Sequence, residues 1–153
     1  MDEPKILPEW RQAVRDFLQE GFKAGDVISK AWLEEHFEIR ALDEDEQMTA
    51  AEYQERQFKW LQCIDSFRAE LLEEHQIYLA NVHGTGYRLV PPGDQTAVAQ
   101  DRFEAQVRKA YKQTDKTLRN VRLAELTDDE RRKNVDAIAK LSMLRGMHKG
   151  LLE

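Results

Sequence analysis

Four histidines and one cysteine are the residues of this chain most suited to metal binding or nucleophilic chemistry. His36, His75, His83 and His148 stand far apart, and none pairs with a cysteine or carboxylate at metal-ligand spacing. His83 falls among glycines and reads as a turn residue. Cys63 lies on an apolar stretch, away from a helix start or an adjacent cation that would activate it, and reads as a buried structural thiol. Glu34-Glu35 and Glu73-Glu74 are adjacent carboxylates, but neighbours on a helix do not face each other as an acid/base dyad must. A P-loop, a dinucleotide fingerprint and a serine elbow are all missing, and the acidic run 43–46 lacks the glycine of a calcium loop. The sequence predicts no catalysis, no metal site and no cofactor.

What remains is charge, and it is unevenly spread. Residues 1–92 hold 10 Lys/Arg against 19 Asp/Glu, a net of −9, whereas residues 93–153 hold 13 against 10, a net of +3; the whole chain carries −6. Two surfaces with different partners are expected. In the back half Lys109, Lys112, Lys116 and Arg119 recur every three or four residues, so they share one helix face able to follow a nucleic-acid backbone. In the front half Lys59, Arg68 and Arg88 are the cations placed to form a local positive strip, with Lys30 nearby. A solvated surface, or attraction between the acidic and basic halves, is the competing reading of both sets.

The elements that must position these groups follow from periodicity. Trp10, Val14, Phe17 and Leu18 mark a first helix that starts at Pro8 and stops near Gly21. Lys23–Ile28 reads as a connector with a Gly25-Asp26 turn. Ser29 caps a second helix, Lys30 to Phe37, with Trp32, Leu33 and Phe37 inward. Residues 41–47 are acidic and aperiodic, hence a loop. Thr49 and Glu52 form a capping box for a long helix ending near His75, with Phe58, Leu61, Ile64, Phe67 and Leu71 as its expected inner face. The period then changes to two. Ile77–Val82 reads as a strand, His83–Gly86 as a turn and Tyr87–Val90 as the return strand, ended by Pro91-Pro92-Gly93. Two more helices follow. The first carries Phe103, Val107, Tyr111, Thr114, Leu118 and Val121. The second opens at a Thr127–Glu130 capping box and carries Val135, Ile138, Leu141 and Leu144. A short connector folds them into a hairpin whose narrow stripes need a further surface.

The order helix, helix, long helix, two-stranded hairpin is that of a winged helix. The segment FRAELLEEHQIYLANVHGTGYRLVPP, Phe67 to Pro92, resembles the end of the effector domain of OmpR-type response regulators, where a recognition helix leads into a strand, a glycine turn and a Gly-Tyr-Arg-Leu strand. The expected architecture is therefore mainly α with a small β-hairpin: a winged helix-turn-helix over 1–93, then a basic helical hairpin over 94–153. The resemblance implies DNA binding through the wing and the long helix, with Arg88 at a phosphate and Lys59 and Arg68 toward the groove.

Three functions are expected in order. The first is a DNA-binding regulator, or a replication or packaging accessory of phage or other mobile-element type. The second is an acidic winged-helix module that binds a protein and modulates a nucleic-acid enzyme, because a −9 domain repels phosphate and suits a basic cleft. The third, compatible with both, is a homo-oligomer joined by the C-terminal helices. One cysteine, no 20-residue apolar run and no signal-peptide pattern at the start point to a cytoplasmic protein without membrane contact.

Overall fold

The computed structural model describes residues 7–40 and 47–152, with side chains as far as Gly150. The acidic stretch expected as a loop lies outside the described residues, apart from Gln47. The chain divides into a front unit, Met1–Thr96, and a tail unit, Ala97–Glu153.

The front unit contains α1 (Glu9–Glu20), β1 (Val27–Ser29), α2 (Lys30–His36), α3 (Ala50–His75), β2 (Leu79–Val82) and β3 (Gly86–Leu89). Local chemistry sets most of these bounds. Gly21 ends α1 in the left-handed conformation at φ 77°. The Ser29 hydroxyl accepts from the Trp32 amide at 3.1 Å, and the Thr49 hydroxyl accepts from Glu52 at 3.2 Å, so α2 and α3 are both capped. Gln76 closes α3 at φ 55°, its amide donating to the Leu72 carbonyl at 3.1 Å and that of Ile77 to the Leu71 carbonyl at 2.9 Å.

The sheet corrects one expectation. Val27–Ser29, at the end of the expected connector, is a strand, and the hairpin is completed to three antiparallel strands in the order β1-β3-β2. Val27 pairs with Arg88, Ile28 with Tyr87 and Ser29 with Gly86, while Leu79 faces Leu89 across the hairpin. The element order and this sheet are compatible with a winged-helix-like layout.

The core gathers Ala13, Val14 and Phe17 from α1, Ile28 from β1, Leu33 from α2 with Phe37 just after it, Cys63, Ile64, Phe67 and Leu71 from α3, and Leu79 from β2. Phe67 is its hub, with the rings of Phe37 at 5.5 Å, Phe17 at 5.9 Å and Trp32 at 6.4 Å. Each such side chain contributes roughly 1.5–3 kcal/mol on burial. A second correction concerns α3. Phe58 is 69% exposed and Leu61 55%, so they do not join the core; Trp60 packs there instead.

The tail unit is a helical hairpin of α4 (Gln95–Arg119, beginning two residues before the unit boundary) and α5 (Asp128–Leu152). At α5 the capping box is reciprocal: Thr127 Oγ1 accepts from the Glu130 amide and Glu130 Oε1 accepts from the Thr127 amide, both at 3.2 Å. Asn134 donates to the Leu118 carbonyl at 3.0 Å and Arg131 to the Leu123 carbonyl at 3.0 Å, tying the two helices at the turn. Val107, Tyr111, Leu118, Val121, Ile138 and Leu141 are half-buried, but Phe103, Val135 and Leu144, expected within the stripes, are exposed. None of the described side chains of this unit is fully buried.

Candidate interaction surfaces

The front-unit cations expected at nucleic acid are all engaged within the chain. Arg68 projects from α3 toward the sheet, where its Nη2 donates to the Leu79 carbonyl at 2.7 Å and its guanidinium lies 5.0 Å from the Tyr87 ring centroid. It is half-buried and staples α3 to β2 and β3. Lys59 donates to the Glu38 carbonyl at 3.2 Å and reaches Glu9 at 4.0 Å. Arg88, on the middle strand, faces Asp94 at 3.8 Å, while Tyr87 and Leu89 on the opposite side of β3 pack against the core. Lys30 sits 5.4 Å over the Trp60 ring and 3.8 Å from Glu34, and Glu34 also pairs with Arg56 at 3.3 Å. Lys59, Arg68 and Arg88 therefore each have a separate partner within the chain. Exposed pairs of this kind contribute little to stability, but each occupies part of its cation's donors and offsets its charge.

The outward side of α3 carries the opposite sign. The exposed charged residues of α3 are Glu52, Glu55, Asp65, Glu73 and Glu74; of these Asp65 lies on the side opposite Phe67, with Glu55 and Glu73 beside it. Among them stand Phe58 and Leu61, with Leu72 a few turns on. At 100° per residue Phe58, Leu61, Asp65 and Leu72 fall within one 60° arc, so they form a continuous stripe. An apolar stripe that holds Asp65, with Glu55 and Glu73 at its edge, suits a basic protein surface; base edges and phosphates call for donors.

The titratable groups that invited chemical readings are absorbed by structure. His36 places Nδ1 2.7 Å from the Trp32 carbonyl and stacks on the Trp32 ring at 3.7 Å. Cys63 is buried, and desolvation raises its thiol pKa from the ordinary 9.0, with Lys59 pulling it partly back and Glu9 adding to the rise. Among the described residues no three of histidine, cysteine, aspartate and glutamate gather as metal ligands. Among the same residues no helix is long and apolar enough to cross a membrane.

In the tail unit Lys109, Lys112 and Lys116 are exposed along one face of α4 and make no ion pair among the described residues. Arg119 shares that face but is held by Asp115 at 2.7 Å. Toward the open end of the hairpin Arg108, Tyr111, Arg145, His148 and Lys149 line a groove of about 410 Å³. Sequence reasoning does not find this cluster. Arg145 and Lys149 stand four apart, a visible signal, but only the fold brings them opposite Arg108. No protein-family model, curated protein or solved structure matches this chain.

Proposed function

We propose that the front unit is a protein-docking module of winged-helix-like form, with its wing built like that of the OmpR-type effector domains. The outward stripe of α3, Phe58, Leu61 and Asp65 among carboxylates, is its contact surface. The observation that carries this reading is the charge along the outward stripe of α3, where Asp65 and the flanking Glu55 and Glu73 stand in place of the cations a DNA-reading helix needs. The partner is a protein with a basic, partly apolar groove, as nucleic-acid-handling proteins possess. Burying two aromatic or aliphatic anchors inside a polar rim is the common anatomy of an interface hot spot.

The test compares the full chain with the Phe58→Asp, Leu61→Asp double variant. Both replaced residues are exposed, so stability should change by no more than about 0.5 kcal/mol per site. A partner captured from lysate by the wild-type chain after nuclease treatment, and lost by the variant, is the expected result. Capture that is equal for both chains, or that disappears with nuclease, overturns the reading.

A second reading, DNA binding, is favoured by the lysine face of α4 and moves the contact from the wing to the tail. Replacing Lys109, Lys112 and Lys116 with glutamate should then weaken duplex binding at low salt. The slope of log affinity against log salt should also flatten, by about 0.9 for each phosphate that the variant no longer neutralises. A wild-type chain that leaves duplex DNA unretarded at low salt removes this reading.

A further inference from the structure

We infer that the open end of the tail hairpin binds a nucleotide, either free or as a unit of a single strand, in the groove between α4 and α5. Three observations meet there. First, the groove gathers three cations from two helices: Arg108 from α4, Arg145 and Lys149 from α5. Arg108 is paired with Glu104 at 3.0 Å, whereas Arg145 and Lys149 make no ion pair among the described residues. The groove thus has a surplus of positive charge that its own carboxylate does not cancel. Two guanidinium groups and an ammonium are the donors that recognise a phosphate.

Second, His148 sits between the two helices with its ring 6.0 Å from Phe103 and 6.1 Å from Tyr111. Its Nε2 is buried and has no hydrogen-bond partner among the described residues. A polar atom in that position costs free energy until something reaches it. Third, Phe103 is 56% exposed beside this cluster. A free ring next to a basic groove is the pairing by which proteins hold an unstacked base together with its phosphate. The volume, about 410 Å³, lies in the range of small-ligand sites and exceeds what a phosphate alone would fill.

The geometry assigns each group a task. Arg145, Lys149 and Arg108 hold the phosphate, His148 Nε2 meets a polar atom of the ligand, and Phe103 gives the base a face. This inference does not rest on the protein-docking reading of the front unit, and it stands whether or not the α4 lysines follow a duplex.

The test uses the full chain and follows the His148 ring signals by NMR while inorganic phosphate, a nucleoside monophosphate and a short single-stranded oligonucleotide are added in turn. Saturable shifts are expected with the monophosphate. Arg145→Ala with Lys149→Ala should weaken binding about tenfold or more. Lys133→Ala with Lys140→Ala, which removes the same charge from the same helix outside the groove, should leave it unchanged. Phe103→Ala should weaken the monophosphate about tenfold and leave inorganic phosphate unaffected. Tighter binding of the oligonucleotide per nucleotide assigns the ligand to a strand, and the reverse to a free nucleotide. Signals that move with none of the three ligands, or equal weakening by the control pair, overturn the inference.

Discussion

At the scale of single residues, two positions carry more structure than their types suggest. Gly86 adopts φ 154°, and a Cβ there would stand 2.0 Å from the Ile28 carbonyl oxygen. Gly86→Ala should therefore separate β1 from β3 and destabilise the front unit by at least about 3 kcal/mol, read by urea denaturation. Gly84→Ala meets no neighbouring atom and loses only the ease of a φ of 77°, so its cost should be smaller. The sequence marks both glycines as turn residues, and for Gly84 that is the reason. For Gly86 the reason is a strand nearly sixty residues away, which no local pattern announces. Arg68 is the second position. Arg68→Met should cost about 1–3 kcal/mol, because it strips the Leu79 carbonyl of its donor. Cys63 gives a pH test. Its folded pKa is raised, so the folded state keeps a proton that the unfolded state has lost. Stability is accordingly full below the ordinary thiol value of 9.0 and falls as pH rises beyond it. Cys63→Ser should flatten that fall in denaturation curves.

At the scale of elements, helices are readable in the sequence and their orientation less so. Caps at Ser29, Thr49 and Thr127 fix the starts of α2, α3 and α5 in sequence and structure alike. The inner face of α3 departs from its expected residues for a geometric reason. Steps of three rotate by 300°, so the series Phe58, Leu61, Ile64, Phe67 drifts around the helix. Phe58 ends diametrically opposite Phe67. Steps of three and four together, Trp60, Cys63, Ile64, Phe67 and Leu71, keep to one side. β1 is invisible to periodicity because three residues are too few to display a period of two. The surfaces are partly legible. The lysine face of α4 follows from spacing alone, whereas the engagement of Lys59, Arg68 and Arg88 depends on packing across the fold.

At the scale of the whole molecule, the two units are built on different terms. The front unit has an aromatic core around Phe67, while no described side chain of the tail unit is fully buried. Hydrogen exchange on the full chain should find the amides of α4 and α5 opening at markedly lower free energy than those at the middle of α3. Equal protection throughout would mean that the tail gains stability from association. The charge division matches this split, with the acid on the folded core unit and the excess base on the looser hairpin.

The middle strand of the sheet has a bearing on synthesis. β1 emerges early in translation but has no partner until β3, some sixty residues later, has been made. A nascent chain still lacking Gly86–Leu89 leaves Ile28 without its cover, so the front unit cannot close while the ribosome holds that segment in its tunnel.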